Sequence, residues 1–372
     1  MKVGVNLLWL RPGVVGGSEQ YLTRLLVGLA ELAPADLDVT VFALPGFAPA
    51  HPEVPFPVVA APIGGGRRPL RVAAEATWLA AQARRRGLDL VHHGGGTLPA
   101  VLTAPAVLTV HDLQYLTYPA SFSTVKLAYL RRTVPRSVRR AAAVTTPSAY
   151  VRSTVVERLG ADPARVHVVP HGIPEAEVAA PPTAEAELRA RYGLAGPFFL
   201  YPAITYPHKN HVVLVRALAR LGGDAQLVLL GGRGPAEDTV AEEVARLGLQ
   251  PRVVRPGRVS DADRNGFYRA AMATLVPSRY EGFGAPALEA MRLGCPLVAA
   301  DVTALPEVVG EAGRLVDPDD VDGWARAMAE LLDDPAERAR LRAAGEARAA
   351  ELTARRSAEA LLAAYRAVPV AP

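Results

Sequence analysis

The stretch from residue 274 to residue 300 constrains the fold of this 372-residue chain more than any other. Thr274-Leu275-Val276 is a short apolar run that is typical of a buried strand. The glycine loop Gly282-Phe283-Gly284 separates it from a predicted helix, which begins near Pro286 because proline suits the first helical turn. A second apolar strand, Leu297–Ala300, follows. This alternation predicts a parallel α/β sheet.

The same stretch carries a pattern of acidic groups around an anion site. The amides of a helix N-terminus behind a glycine loop favour phosphate. Glu281 stands before the loop and Glu289 follows the first helical turn. A carboxylate repels phosphate but accepts hydrogen bonds from neighbouring sugar hydroxyls. The combination predicts a ligand with phosphate between two hydroxylated rings, as in a nucleotide sugar.

The segment from Glu281 to Glu289 resembles the E-x7-E signature of retaining GT4-type glycosyltransferases, which have the GT-B fold. The resemblance implies that Glu281 contacts the transferred sugar and that Glu289 binds the ribose hydroxyls. It also assigns the intervening loop to substrate binding: Gly282, Phe283, Gly284 and Ala285. The alternative is an ordinary strand–helix unit with two surface glutamates.

A second glycine loop lies near the start of the chain. Lys2–Asn6 reads as a first strand and residues 18–33 as a first helix, with Gly16-Gly17 just before that helix. Bare amides at a helix N-terminus again favour an anion, and the resemblance places this glycine pair against the donor diphosphate. A glycine pair alone is more often only a turn, and no G-x-G-x-x-G dinucleotide fingerprint follows the strand.

His111 ends the predicted strand that begins at Ala106. The carboxyl end of a parallel strand faces the crevice in which such sheets bind ligands. The Val-His-Asp context resembles the family's histidine beside the transferred sugar, and Asp112 is expected to orient the loop. The alternative is a histidine satisfied within the core.

Lys209 lies in the loop Pro202–Asn210, between a predicted strand and helix of the second half. The resemblance implies that it pairs with the donor diphosphate. The family usually has an arginine beside this lysine, whereas this chain has His208. The second cation is therefore either absent or supplied elsewhere, for example by His208 when it is protonated. The resemblance implies that the nucleobase lies at Gly257 and Val259, which follow another strand.

The strand–helix rhythm predicts an α/β protein of the GT-B type. It has two Rossmann-like, doubly wound domains that face each other across a cleft. We assign residues 1–175 to an acceptor-side domain, 176–197 to a linker with one short helix, 198–352 to a nucleotide-sugar-binding domain, and 353–372 to a C-terminal helix that packs back on the first domain. Residues 45–69 are rich in Pro and Gly and are predicted to form an exposed loop.

Composition is that of a soluble globular protein, with 50% hydrophobic and 21% charged residues. The single cysteine, Cys295, excludes an intramolecular disulfide framework and fits a cytoplasmic protein. The first ten residues are too short an apolar run for a signal peptide, and no run is long enough to span a bilayer.

The charge is uneven: residues 1–175 carry 18 Lys and Arg against 11 Asp and Glu. Six of these basic residues cluster in one segment: Lys126, Arg131, Arg132, Arg136, Arg139 and Arg140. The cluster fits peripheral contact with anionic lipid on the inner face of the plasma membrane, or a phosphorylated acceptor. A solvated helix face is the simpler alternative. The sequence shows no basic surface interleaved with aromatic residues, so a nucleic-acid partner is not predicted.

Other chemistries lack their motifs. The Asp-x-Asp triplets fall at turns or helix starts, where aspartate caps, and no zinc-like spacing occurs. The resemblance also implies an enzyme that needs no metal or other cofactor. The sequence contains no G-x-S-x-G nucleophile elbow, so a serine hydrolase is disfavoured.

The resulting prediction is a retaining hexosyltransferase that moves a sugar from a nucleotide sugar to a hydroxyl of a glycan or lipid-linked acceptor. The Pro-His-Lys-Asn-His loop resembles that of mannosyltransferases of cell-envelope polysaccharide assembly, so GDP-mannose is the expected donor. UDP-glucose and dTDP-rhamnose are alternative donors. A nucleotide-sugar 2-epimerase and a non-catalytic sugar-nucleotide-binding module are alternative classes.

Overall fold

The computed structural model describes residues 1–14, 16–179 and 181–369. Contacts divide the chain into two compact units, an N-terminal unit of Met1–Pro174 with the segment from Thr353 onward, and a C-terminal unit of Glu175–Leu352. Each unit is built on one parallel sheet, so the predicted pair of Rossmann-like α/β domains is confirmed. The last three residues of the predicted C-terminal helix, 370–372, lie outside the described residues, as does residue 180 of the predicted linker.

The N-terminal unit contains a seven-stranded parallel sheet in the order β3-β2-β1-β4-β5-β6-β7. The strand order reverses at β1 and β4, so a crevice opens at their carboxyl ends. Its strands are β1 Lys2–Asn6, β2 Asp38–Ala43, β3 Val58–Ala60, β4 Leu90–His93, β5 Ala106–Thr109, β6 Ala143–Thr146 and β7 Val166–Val168.

Helices cover both faces of this sheet. They are α1 Gly17–Leu32, α2 Phe47–Ala50, α3 Arg68–Ala74, α4 Ala80–Arg86, α5 Gln114–Thr117, α6 Thr124–Arg140 and α7 Ala149–Leu159. A π-helical turn, Glu75–Leu79, joins α3 to α4, and single 3-10 turns occupy Pro119–Ser121 and Pro163–Arg165. Leu22, Leu25 and Leu29 of α1 recur at helical spacing and are buried against the strands.

The prediction of an exposed loop over residues 45–69 is wrong in part. The short helix α2 begins at Phe47, which is fully buried, and β3 adds an edge strand to the sheet beside β2. These two elements were not predicted because each is at most four residues long and is flanked by proline and glycine. Their apolar residues nevertheless have core to cover.

The C-terminal unit has a six-stranded parallel sheet in the order β10-β9-β8-β11-β12-β13. Its strands are β8 Phe198–Pro202, β9 Gln226–Leu230, β10 Val253–Gly257, β11 Ala273–Val276, β12 Leu297–Ala300 and β13 Arg314–Val316. The strand order reverses between β8 and β11, which again marks a crevice at their carboxyl ends. Strand β13 was not predicted because its three residues leave no readable alternation.

Helices of this unit alternate with its strands. They are α8 Glu175–Ala179, α9 Glu185–Tyr192, α10 His211–Arg220, α11 Glu237–Arg246, α12 Asp261–Ala270, α13 Ala285–Arg292, α14 Leu305–Val309, α15 Val321–Asp333 and α16 Pro335–Ala349, with a 3-10 turn at Pro207–Lys209. The segment predicted as a linker with one helix has two, α8 and α9. Thr183 and Arg191 both donate to the Asp263 carboxylate, which ties the segment to α12.

The last helix, α17 Ala354–Arg366, belongs to the N-terminal unit and packs along α1. Two glycines allow this return. A Cβ at Gly28 would lie 2.3 Å from the carbonyl oxygen of Ala354, and one at Gly172 would lie 2.2 Å from that of Thr353. Such distances exclude any side chain at these positions. No helix in the described ranges has the length and apolarity to cross a bilayer.

Candidate functional site

Lys209 and Glu281 meet at the crevice of the C-terminal sheet. The Lys209 Nζ donates a hydrogen bond of 2.6 Å to Glu281 Oε1. Their side chains are 19% and 10% exposed, so the charges are largely shielded from water but not sealed. Lys209 follows β8 and Glu281 follows β11, the two strands at which the order reverses. The sequence-predicted pair is therefore brought together at the expected edge of the sheet.

The loops that carry this pair are held by buried hydrogen bonds. The Tyr201 hydroxyl lies 2.9 Å from the carbonyl oxygen of Lys209 and 3.0 Å from Ser278 Oγ. The Arg279 amide donates to the carbonyl oxygen of His208 at 2.8 Å. Burial raises the pKa of Tyr201 well above its usual value, so its hydroxyl stays protonated. The two loops thus form one rigid edge.

Asn210 fixes the start of α10 beside Lys209. It has a φ of 57°, a left-handed conformation that asparagine tolerates better than most residues. Its side-chain amide donates to the carbonyl oxygens of Pro277 at 3.3 Å and Pro318 at 2.6 Å. These two hydrogen bonds need a side-chain amide, which explains why the loop that carries Lys209 ends on an asparagine.

The glycine loop after Glu281 has the conformation that its sequence requires. Gly284 has a φ of 102° and caps α13, and a Cβ there would lie 2.6 Å from Leu305 Cδ2. Phe283 is buried, while Gly282 and Ala285 are half-buried. The Glu281 amide donates to Thr303 Oγ1 at 3.1 Å and so orients the entry to the loop.

Glu289 lies in the second turn of α13 and is 8% exposed. The Tyr268 hydroxyl, on α12, donates to Glu289 Oε2 at 3.0 Å. Burial, and then the charge of Glu289, raise the pKa of Tyr268 well above its usual value, so it acts only as a donor. Tyr268 was missed in the sequence because a tyrosine inside a helix carries no motif.

Gly257 and Val259 flank the end of β10 and are half-buried. Gly257 has a φ of 78°, and its carbonyl oxygen accepts a hydrogen bond of 2.9 Å from the Gly231 amide at the end of β9. The structure therefore places this predicted nucleobase segment at the carboxyl edge of the same sheet as Lys209.

Of the possibilities that the sequence left open for the second cation, the structure favours its absence at position 208. Burial, and then the neighbouring charge of Lys209, lower the pKa of His208 to about 4, although Glu281 opposes this shift. The ring is therefore neutral near pH 7. It stacks on Tyr206 with ring centroids 5.7 Å apart. His208 extends the wall beside Lys209 without adding charge.

In the N-terminal unit, Gly16 and Gly17 form the start of α1. Gly16 has a φ of 78°, and no side chain caps the helix. A Cβ on either glycine would meet no atom within 4 Å, so the space around these backbone positions is open. The helix N-terminus is a favourable anion position.

Glu19 holds the same loop from the first turn of α1, and the sequence did not reveal this role. Its carboxylate accepts hydrogen bonds from the Gly13 amide at 3.0 Å, and His51 Nε2 lies 2.9 Å from Oε1. Glu19 is 7% exposed. The acidic residue two positions after the glycine pair was the available signal.

His111 lies among aromatic rings after β5. Its ring centroid is 5.6 Å from that of Tyr21 and 6.1 Å from that of Trp9. His111 Nε2 lies 2.8 Å from the carbonyl oxygen of Gly94, which can only accept, so Nε2 carries the proton and Nδ1 carries the lone pair. Burial lowers the pKa of His111 to about 4. The ring is a neutral, fixed hydrogen-bonding group.

The predicted site residues thus fall into two sets, one in each unit. Lys209, His208, Glu281 and the glycine loop lie together in the C-terminal unit, with Glu289 on the helix that follows. His111 and the Gly16-Gly17 pair lie in the N-terminal unit, connected through Tyr21 of α1. Within the described ranges, no three His, Cys, Asp or Glu side chains gather as ligands for a metal ion.

Comparison with known proteins identifies the family. Residues 186–348 match the model of glycosyl transferases group 1, and residues 15–177 match that of glycosyltransferase family 4. The O-antigen chain mannosyltransferase B of Escherichia coli is 31% identical over 278 residues, 73% of each chain.

A second relative, the MMP alpha-(1->4)-mannosyltransferase of Mycolicibacterium hassiacum, is 32% identical over 72% of this chain and 68% of its own. Among solved structures, sucrose-phosphate synthase of Thermosynechococcus elongatus superposes with a TM-score of 0.78 over 98% of both chains, at 22% identity. That likeness shows the GT-B fold. The chain belongs to glycosyltransferase family 4 and is a glycosyltransferase.

Proposed function

We propose that this glycosyltransferase transfers mannose from GDP-mannose, with retention of configuration, to a hydroxyl of a glycan or lipid-linked acceptor. The observation that carries the proposal is the Lys209–Glu281 pair at the crevice of the C-terminal sheet. It sets a cation for phosphate beside a carboxylate for sugar hydroxyls, on the edge at which such sheets bind nucleotides. The names of the two mannosyltransferase relatives support mannose as the sugar.

Donor binding follows from the groups of the C-terminal unit. Lys209 and the N-terminus of α13 would stabilise the diphosphate, while Glu289 would accept hydrogen bonds from the ribose hydroxyls. The Tyr268 hydroxyl donates a hydrogen bond to Glu289 Oε2 and so orients this carboxylate. The base would lie along Gly257 and Val259. Glu281 would hold the transferred sugar.

The reaction needs one bond exchange at the anomeric carbon. The bond from that carbon to the diphosphate oxygen breaks, and a bond to the acceptor oxygen forms on the same face. The acceptor proton moves to the departing phosphate, so no separate protein base is required. Charge develops on the leaving oxygen, where Lys209 and fixed amides stabilise it electrostatically. The proposal therefore requires no metal ion, and EDTA should leave turnover unchanged.

The resemblance also implies roles for groups of the N-terminal unit. By the resemblance, the Gly16-Gly17 amides would contact the diphosphate and His111 would contact the transferred sugar. A neutral His111 with Nε2 held by Gly94 offers Nδ1 as an acceptor for a sugar hydroxyl. A His111→Ala variant would then bind the nucleotide but lose turnover.

The test is a panel of nucleotide sugars, scored by thermal stabilisation and by slow donor hydrolysis. We expect GDP-mannose to stabilise the protein more than UDP-glucose or dTDP-rhamnose. Glu289→Ala should weaken binding, and Glu281→Ala should bind but hydrolyse poorly. If UDP-glucose alone stabilises the protein, the donor is UDP-glucose rather than GDP-mannose. Release of a free 2-epimerised sugar would point to an epimerase, and tight binding without hydrolysis or transfer would point to a binding module.

We also propose that the protein works in the cytoplasm, at an anionic membrane surface. All six basic residues of α6 named above are exposed, as is Val125, which is 81% exposed. Anionic headgroups complement such a face. Co-sedimentation with phosphatidylglycerol vesicles, but not with phosphatidylcholine vesicles, should depend on Arg131 and Arg132. Equal pelleting of the Arg131→Glu, Arg132→Glu variant would contradict the proposal.

A further inference from the structure

The crevice of the N-terminal sheet holds polar groups that the proposed donor chemistry does not use. Asn6 ends β1 and His93 ends β4, the two strands at which the order reverses. Asn6 Nδ2 donates to His93 Nδ1 at 3.0 Å, and both residues are buried. Trp9, Arg71 and Glu75 lie beside them and are half-buried. We call these five residues the β1-edge cluster.

Glu75 enters this cluster because the helix there is wound differently. It is the first residue of the π-helical turn Glu75–Leu79, which interrupts the run from α3 to α4. Turns of this kind are rare in proteins as a whole, but those that occur are frequently found at functional sites. Glu75 accepts a side-chain hydrogen bond from Asn6, and burial raises the pKa of Glu75 to about 7. Near neutral pH its carboxyl group can therefore both accept and donate.

Arg71 and Trp9 each have one buried side-chain N–H donor without a partner among the described residues. Arg71 Nη1 donates to the carbonyl oxygen of Trp9 at 2.7 Å, which fixes the guanidinium against the loop after β1. Arg71 Nε and Trp9 Nε1 are both buried and have no hydrogen-bond partner in the described structure. A buried donor without a partner is costly, so two at one edge indicate a ligand that completes them.

The indole of Trp9 is held beside His111. A Cβ at Gly95 would lie 2.6 Å from the Trp9 ring, so glycine is required for the ring to lie against the loop after β4. The ring centroids of Trp9 and His111 are 6.1 Å apart. A group bound at the cluster would therefore lie next to the histidine assigned to the transferred sugar.

We propose that Trp9, Arg71 and Glu75 form the subsite for the acceptor, and that a neutral sugar ring of the acceptor binds there. The inference rests on the proposed function, which places a transferable sugar at His111. Two N–H donors, one carboxyl group and an aromatic surface match the hydroxyls and the apolar face of a pyranose. At neutral pH the ionised fraction of Glu75 partly offsets the charge of Arg71, which makes the cluster less favourable to a phosphate than an unopposed arginine.

Two further arginines bear on this choice. Burial, and then the positive charges of Arg68 and Arg11, lower the pKa of Arg71, while Glu75 opposes the shift, so both arginines lie near the cluster. Arg68 is already engaged, with its guanidinium carbon 4.0 Å from the centre of the Tyr129 ring. A phosphorylated acceptor is therefore the alternative against which the neutral ring is tested.

The experiment uses the full chain and two matched probes, methyl α-D-mannopyranoside and mannose 6-phosphate, in ligand-observed NMR titrations. Wild-type protein should bind the neutral glycoside at least as well as the phosphate. Glu75→Gln and Trp9→Phe should each weaken glycoside binding about tenfold, as loss of a hydrogen bond to a charged or buried partner predicts. Glu157→Gln, an exposed glutamate on α7, is the control and should bind like wild type.

Donor binding is measured in parallel by thermal stabilisation with GDP-mannose, and it separates the two proposals. Unchanged donor binding with weaker glycoside binding in the variants supports the acceptor subsite. Tighter binding of mannose 6-phosphate by wild type, or unchanged glycoside binding in both variants, overturns it. Loss of donor binding in Glu75→Gln also overturns it, since the residue would then serve the donor. Failure of every nucleotide sugar to bind wild type refutes the proposed function instead.

Discussion

Lys209 and Glu281, 72 positions apart in the chain, share a hydrogen bond of 2.6 Å between Nζ and Oε1. The pair neutralises a half-buried ammonium and a buried carboxylate. A diphosphate offers Lys209 more negative charge than one carboxylate does. Donor binding would then turn the lysine toward phosphate and free Glu281 for sugar hydroxyls. The first prediction tests this exchange.

Lys209→Ala should lower kcat about 10²- to 10³-fold, the loss typical when one preorganised group at a developing oxyanion is removed. It should also leave Glu281 buried without its partner. Transfer rates with GDP-mannose and thermal melting of the same samples measure the two effects. Lys2→Ala, at the exposed start of β1, is the control and should match wild type. Full turnover by Lys209→Ala would remove the lysine from the mechanism.

Tyr268→Phe should weaken donor binding several-fold and leave kcat nearly unchanged. The hydroxyl orients the Glu289 carboxylate through a 3.0 Å hydrogen bond, and a net hydrogen bond is worth about 1 kcal/mol. Titration calorimetry with GDP reads the affinity, and steady-state kinetics reads kcat. A large fall in kcat with unaltered GDP affinity would show that Tyr268 acts on the reacting sugar rather than through Glu289.

Gly284→Ala should destabilise the C-terminal unit by roughly 1–3 kcal/mol. An alanine there must adopt a φ of 102° and place its Cβ 2.6 Å from Leu305 Cδ2. Gly222→Ala is the matched control, because a Cβ at that position meets nothing within 4 Å and its φ is not positive. Urea unfolding of both variants gives the comparison. Equal midpoints would mean that the loop relaxes without cost.

The N-terminal unit should lose stability as pH falls from about 6.5 toward 4. Burial lowers the pKa of His92 and His93 to about 3 and that of His111 to about 4, and it lowers the pKa of His171 well below its usual value. In this window the unfolded chain binds protons that the folded unit does not, so acid favours unfolding. Each histidine contributes on the order of 1 kcal/mol per pH unit.

Glu75 opposes this trend. Its pKa is raised to about 7, so the folded unit holds a proton that the unfolded chain releases above about 4.5. Its contribution to stability is present below that pH and fades as pH rises through 7. Urea midpoints measured from pH 7 to pH 5 should therefore fall less steeply than four histidines alone predict. Glu75→Gln should steepen the fall, and an identical slope would contradict the assignment.

Local sequence was sufficient to predict the elements that depend on preferences of a few neighbouring residues. Thr274–Val276, the glycine loop and Pro286 predicted a strand, a turn and a helix start, because φ preferences and capping act within a few residues. The repeated strand–helix rhythm predicted two parallel sheets for the same reason. The spacing of Glu281 and Glu289 identified the family, since both lie on one short stretch of chain.

Tertiary structure decided what depends on distant partners. Parallel pairing of β8 with β11 places Lys209 against Glu281. Burial in that edge, rather than residue type, keeps His208 neutral. The π-helical turn that presents Glu75 likewise follows from packing, because no local preference encodes it. Sequence thus fixes the groups that can act, while the sheet order fixes which of them meet, since contact and burial depend on residues far apart along the chain.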